Sequence, residues 1–410
     1  MDLQAFRGLL TEDGQAVLAE AAAGDVTENG LLATASRLRG RHPAELVSAA
    51  LTQVRLRERG RAKFGQDAAL MYFTPAGLEQ STRAEVAAHR ARRFLASGES
   101  SGNVHRVLEL GCGIGADLIA RARAGLPGDG VELDPLTAEV ARANAAALGV
   151  DGLAAVREGD ATEADPSGYD AVFADPGRRT ARGRVFDPRS YEPPLDTVLD
   201  LAGHVPGACV KVAPGIPHEA VPEGAEAEWI SVGGDVKEAA LWLGALAGTE
   251  RRRATLLPSG GEAGVTLTPK EGLGDPDVRE WGAYLYEPDG AVIRAHLVAE
   301  VADLVGGGLA DPRIAYVTGD VLRPTPFAAA YAIDEVMPFS VKRLKRELRR
   351  REIGILTIKK RGSAIDVDRL RRDLGFGRKG AGYGGAEITV VVTRVGTAPV
   401  ALLTRAVPGR

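Results

Sequence analysis

Residues 107–115 read VLELGCGIG, an apolar run interrupted by the acid Glu109 and followed by alternating glycines; Glu132 comes 17 positions after Gly115, in GVELDP. Gly111, Gly113 and Gly115 let the backbone approach a ligand with no Cβ in the way, and Glu132 would accept hydrogen bonds from both hydroxyls of a ribose. The chemistry on offer is the binding of a nucleotide-type cofactor. Asp160 in REGDA and Asp175 in DPGRR follow at strand-like intervals. Asp160 reads either as a ligand contact at a strand end or as an ordinary loop cap. Asp175 falls at the end of a candidate strand and is followed by the turn-forming Pro176-Gly177.

The elements that must position these residues alternate. Candidate strands fall at 105–110, 128–133, 153–157, 169–174, 207–213, 226–232 and 251–257, with helices beginning near Asp117, Leu136, Pro194 and Asp235. Such spacing predicts an α/β domain over 101–260, with a mostly parallel sheet covered on both faces. Residues 1–100 read as a helical preface. Leu3, Phe6 and Leu10 share a face, Leu46, Ala49, Ala50 and Val54 have core spacing, and Ser81 or Thr82 is placed to cap a helix carrying Val86, Arg90 and Arg93. Tyr72 and Phe73 either line an acceptor entrance or anchor a helix by packing, with packing favoured; His89 reads as structural. The run SGGEAG at 259–264 exits into 261–410, a smaller α/β appendage with a turn at Pro288-Asp289-Gly290 and later strands in GILTIKKRG and EITVVVTRV.

The order strand, GCGIGAD, helix, GVELDP, helix resembles the cofactor half of class I S-adenosylmethionine-dependent methyltransferases over roughly 104–257. The resemblance implies a Rossmann-like, seven-stranded sheet and S-adenosyl-L-methionine as cofactor. Glu109 and the Gly111–Gly115 turn would face the methionine part, Glu132 the ribose, Leu133 the adenine pocket and Asp160 the adenine amine. Gly111, Gly113 and Ala116 also satisfy the dinucleotide spacing GxGxxA, and a degenerate cleft kept for structure alone is a third reading. Glu109 favours the methyl donor, because an acid attracts a sulfonium and repels a pyrophosphate. Cys112 fills the turn and takes no nucleophilic role.

Asp175-Pro176 resembles the first half of the Asp/Asn-Pro-Pro-aromatic motif of methyltransferases acting on exocyclic amines or glutamine amides; Gly177 and Arg178 depart from it. The resemblance implies that Asp175 accepts a substrate N–H and the Pro176 carbonyl a second, aligning the nitrogen lone pair with the donor methyl; in-line transfer needs such alignment and charge stabilisation more than an enzyme nucleophile. Arg178 would then stack through its guanidinium, bind phosphate, or signal another substrate. The following loop carries Arg182, Arg184, Phe186, Arg189 and Tyr191, a mixture suited to nucleic acid but equally readable as a surface connection, with Tyr191 kept as a candidate pocket residue.

The formal charge of −4 over 410 residues gives no global sign of nucleic-acid binding, yet residues 340–361 hold ten Lys or Arg against Glu347 and Glu352. Together with KGAGYGGAEITVVVTRV, this region resembles the THUMP-like appendage of some bacterial methyltransferases. That implies structured RNA as partner through basic residues 342–361. Two cysteines argue against both a metal cluster and a disulfide scaffold, and no leader or run of about 18 apolar residues is visible, so a cytoplasmic enzyme without metal or membrane is expected. The combined reading is an N-methyltransferase acting on an exocyclic base amine. A methyltransferase for a protein amide or small nucleotide, and a non-catalytic RNA scaffold, are the alternatives.

Overall fold

The computed structural model describes residues 1–25, 27, 30–101, 104–177, 179–180, 183–184, 191–260, 263–377 and 382–407. Two compact units divide the chain: Met1–Val232 with Lys237–Arg251 and Leu257–Ala263, and Gly233–Val236 with Arg252–Leu256 and Gly264–Arg410. Among the described residues, helices α1 (Leu3–Leu10), α2 (Glu12–Ala22), α3 (Leu31–Arg39), α4 (Ala44–Phe64), α5 (Pro75–Gln80) and α6 (Ala84–Ser101) precede the first strand. Asp2, Thr11 and Thr74 cap α1, α2 and α5 through side-chain oxygens, and Pro75 occupies the first turn of α5. The buried face of α1 is Phe6 and Leu9 rather than Leu10, which is 36% exposed in the last turn before Thr11 starts α2. Tyr72 and Phe73 pack in this helical core, with their backbone N–H groups held by Asn144 and Gln53.

The alternating region contains β1 (Val107–Leu110), α7 (Ala116–Arg123), β2 (Gly128–Glu132), α8 (Pro135–Ala147), β3 (Ala154–Glu158) and β4 (Ala171–Ala174). A two-stranded ribbon follows, β5 (Arg179–Thr180) and β6 (Gly183–Arg184), then α9 (Leu195–Ala202), β7 (Gly207–Val212), β8 (Glu226–Val232), β9 (Asp235–Gly244), β10 (Arg252–Leu257) and β11 (Val265–Leu267). The main sheet runs β11-β10-β8-β9-β7-β4-β1-β2-β3, nine strands where seven were expected. All seven expected strands are present. The added ones are β11 and β9, and β9 replaces the helix expected to begin near Asp235. Gly233 and Gly234 both adopt positive φ, at 58° and 89°, which turns β8 straight back into β9 as a hairpin. The helix-favouring alanines of β9 are overridden by pairing with β7 along Cys209↔Trp242 and Lys211↔Ala240.

Strands β3, β2, β1, β4 and β7 are parallel neighbours, and chain order reverses on either side of β1. A cleft therefore opens at their carboxyl ends, where such sheets bind ligands. All residues of β1, β4 and β7 are buried, as a sheet covered on both faces requires.

The second unit contains β12 (Tyr284–Pro288), α10 (Gly290–Arg294), α11 (Val298–Val305), β13 (Gly308–Asp311), β14 (Ile314–Gly319) and β15 (Ala328–Pro338). It continues with α12 (Val341–Arg350), β16 (Ile353–Lys360), α13 (Val367–Asp373), β17 (Ala386–Val395) and β18 (Ala398–Ala406), in a sheet ordered β13-β14-β12-β15-β18-β17-β16. Alternation sorts its core: Val390 and Val392 join Leu344 and Leu348 of α12, while Val391 turns to Tyr316 and Tyr331.

Candidate active site

The carboxyl ends of β1 to β4 meet a cavity of about 970 Å³ lined by Glu109, Gly111, Gly113, Glu132, Leu133, Asp160 and Asp175. Gly111 and Gly113 have φ of 74° and 54°, and a Cβ on either would point into open space, so the turn presents bare backbone to the cavity. Gly115 does not line it. With φ of 85° it leads into α7, and a Cβ added there would fall 3.5 Å from the Ala141 Cβ of α8. Cys112 is buried over Gly130, where an added Cβ would fall 2.6 Å from its sulfur, and burial pushes its thiol far up. It fills space, as its sequence position implied.

Glu132 accepts from Gly113 N through Oε2 at 2.9 Å and from Asp134 N through Oε1 at 3.0 Å, so its carboxylate is fixed beside the glycine turn. Leu133 is 68% exposed on the cavity wall, an apolar surface of the kind an aromatic ring covers. Asp160 caps the turn Ala161–Glu163 by accepting from Thr162 N and Oγ1, bonds that hold its carboxyl below the usual range. It is thus both a cap and part of the cavity wall. Bare glycine backbone, a fixed carboxylate and an exposed apolar wall together fit a nucleoside-bearing cofactor.

Glu109 is 2% exposed and is not an isolated anion: Arg121 Nη2 donates to it. Arg121 is itself buried, with its guanidinium over the rings of Phe94 and Phe173. The preference for a cationic ligand argued from Glu109 alone is therefore tempered by a cation on its far side. Burial outweighs Arg121 and pushes the Glu109 carboxyl up to about 7.

Asp175 opens onto the cavity from the end of β4, while Pro176 is buried and does not line it. Arg178, Arg182, Phe186 and Arg189 lie outside the described residues, as does the Arg184 side chain. Gly177 and Glu192 exchange backbone hydrogen bonds at 2.7 and 2.9 Å, which brings buried Tyr191 beside the turn and into the cavity wall.

Sequence reasoning missed Lys211. Its Nζ donates to Asp175 Oδ2 at 2.6 Å and to Thr82 Oγ1 at 3.1 Å, and stands 3.7 Å from Glu238. Glu238 also takes Arg90, which bridges to Asp117 in the first turn of α7. Burial lowers the Lys211 ammonium, but Asp175, then Glu238 and Asp117, outweigh it and hold it above the ordinary lysine value. The signal was a single Lys inside the apolar strand GACVKV; Glu238 was hidden by the mistaken helix at Asp235. Thr82 serves Lys211 instead of capping α6, which begins at Ala84. His89 sits 2.8 Å from Glu228 and does not line the cavity, in keeping with its structural reading.

Among the described residues there is no His, Cys, Asp and Glu grouping fit for a metal, and no helix long and apolar enough to cross a membrane.

Over 364 residues the chain is 37% identical to an uncharacterised S-adenosylmethionine-dependent methyltransferase of Mycobacterium tuberculosis, found in strains H37Rv and CDC 1551; 85% of this chain and 93% of the relative are covered. The crystal structure of a protein provisionally classed as a methyltransferase, from Porphyromonas gingivalis W83, superposes with a TM-score of 0.72 at 23% identity, over 90% of this chain and 92% of that one. Residues 2–60 match a domain of unknown function, DUF8688, and residues 328–406 match the family described as THUMP domain-like. The glycine turn, its paired acids and this kinship define one class: the chain belongs to the S-adenosylmethionine-dependent methyltransferases, with a C-terminal THUMP-like domain. Its cofactor is S-adenosylmethionine.

Proposed function

We propose that this methyltransferase modifies a nitrogen of a base in structured RNA, an exocyclic amine such as that of guanine. The observation that carries the reading is that the glycine turn with Glu132 and the Asp175 strand end line one cavity. When bound, S-adenosylmethionine supplies an electrophilic methyl carbon. In this reading Gly111 and Gly113 receive its methionine part and Glu109 faces the same end. Glu132 holds the ribose, Leu133 covers the adenine face, and Asp160 meets the adenine edge. Gly115 sets the angle of α7.

Asp175 accepts the acceptor N–H and so aligns the nitrogen lone pair, without the Pro176 carbonyl, whose residue is buried away from the cavity. Tyr191 offers an aromatic surface close to the turn, and Arg178 is assigned to acceptor contact. The division into a helical preface (1–100), a cofactor domain (101–260) and an appendage (261–410) belongs to the same proposal.

The RNA assignment is supported by the THUMP domain-like match and by the outer stripe of α12, where Lys342, Arg346 and Arg349 are exposed. Much of the remaining basic run is engaged within the unit: Arg343 and Arg351 with Glu335, Arg350 with Glu347, and Lys359 and Arg361 with Glu287. That neutralisation favours a second reading, in which a protein amide or small nucleotide is the acceptor.

Mass spectrometry of RNA nucleosides from cells lacking the protein decides between them. One methylated nucleoside is expected to vanish and to return with the wild-type gene but not with Asp175→Ala, which lowers transfer by about 100-fold or more. An unchanged nucleoside profile, with methyl transfer into protein or small molecules instead, overturns the RNA assignment.

A further inference from the structure

Strand β7 is buried along its whole length, yet one of its six residues is Lys211. A methionine there would pack without desolvating an ammonium, and buried ion pairs are weak stabilisers compared with apolar replacements. What the lysine provides is geometric. Its Nζ binds Asp175 Oδ2 at 2.6 Å, and among the described residues Oδ1 has no hydrogen-bond partner. Thr82 Oγ1 accepts from the ammonium at 3.1 Å and Glu238 stands 3.7 Å from it, and Lys211 does not itself line the cavity.

We infer that Lys211 is a positioning residue for methyl transfer: it pins one oxygen of Asp175 so that the other meets the acceptor N–H. The inference rests on the reading of Asp175 as the acceptor contact. In the transfer, the nitrogen lone pair forms the new N–C bond while the C–S electron pair returns to sulfur. The surplus proton on nitrogen passes to the free oxygen of Asp175 and then to water. Lys211 keeps its own proton throughout. Without it, Asp175 is free to rotate and sits beside Glu238 with no intervening cation. The sequence therefore replaces part of the missing Pro-aromatic half of the motif with a buried tether from a neighbouring strand.

The test uses full-length protein, radiolabelled S-adenosylmethionine, and total RNA, total protein and a small-molecule filtrate from cells lacking the protein. Lys211→Met is expected to lower kcat by about 100-fold on whichever fraction the wild type labels. Its apparent KM for S-adenosylmethionine and calorimetric affinity for S-adenosylhomocysteine should stay within about threefold, and Lys211→Arg should recover about tenfold of the rate. A purely structural role would instead lower the melting temperature and product affinity together.

If Lys211→Met does not fold, Thr82→Val decides: it keeps the charge but removes one support, and about a fivefold fall in kcat is expected, an unchanged kcat overturning the inference. Folded Lys211→Met with kcat within about fivefold of wild type overturns it on any acceptor. Label only in protein or small molecules sinks the RNA assignment and leaves Lys211 judged on that acceptor. A wild type that labels no fraction overturns both.

Discussion

Glu109 carries the sharpest consequence of its surroundings. Its carboxyl, pushed up from 4.5 to about 7 by burial, is protonated in the folded protein across a range where the unfolded chain has already released the proton. The folded state thus binds more protons between those values, and Glu109 lowers stability progressively as pH rises through that window. If Glu109 faces the donor as proposed, the sign is opposite there: the carboxylate that would attract a cationic ligand forms only as pH passes about 7. Calorimetry should show S-adenosylmethionine binding tightening by about tenfold between pH 6 and 8, with Glu109→Gln flattening the dependence. A wild-type affinity that does not differ from the variant across that range would remove Glu109 from the donor site. Asp117 behaves in the reverse sense. Burial raises its carboxyl, but Arg90, Lys211 and the Thr82 hydroxyl bring it below the ordinary 3.8. Its stabilising contribution is present above that value and is lost as pH falls through its lower folded value.

At the scale of elements, two helices of the preface are fixed by cations, the half-buried Lys63 and the buried Arg90. Lys63 of α4 donates to the carbonyls of Leu78, Glu79 and Ser81 at 2.7, 2.7 and 2.8 Å, closing the C-terminal end of α5, whose residues line the cavity. Lys63→Met should cost roughly 2 kcal/mol in urea unfolding and weaken donor binding, since it leaves several carbonyls to find other partners. Helix α6 is tied to the sheet through Arg90, which is 1% exposed between Asp117 and Glu238. Arg90→Met strands two buried carboxylates and should cost about 3 to 5 kcal/mol, enough to be visible as a large fall in the urea midpoint. A variant as stable as wild type would mean that those acids take up protons or other partners at little cost.

On the scale of the whole molecule, the exposed stripe Lys342, Arg346 and Arg349 is separable from the cavity residues in sequence and in chemistry. On the proposed RNA reading, replacing all three with alanine should weaken RNA binding and reduce the slope of log affinity against log salt by roughly 2 to 3, because each lost phosphate contact releases about one fewer counterion. S-adenosylhomocysteine affinity should be unchanged in the same protein. An unaltered salt slope would move the RNA contact away from α12.

Local order decided what the sequence could determine by itself. Residues 107–115 and Glu132 belong to short, contiguous strand-turn patterns whose glycine φ values and acid placement follow from neighbours in the chain. The strands of the parallel sheet and Asp175 at a strand end were legible for the same reason. Tertiary structure alone decided what depends on distant partners. Alanine-rich 235–244 became a strand because a Gly-Gly hairpin delivers it to β7, and Leu10 lost its core place to Leu9 at a helix end. Glu109 acquired Arg121 within the folded α/β unit, and the basic run of 342–361 found acids on β12 and β15. Asp175 was visible, but Lys211, 36 residues away and behind it, was not. Charges buried in a core take their energies from whatever folding places against them, and that is a property no window of sequence contains.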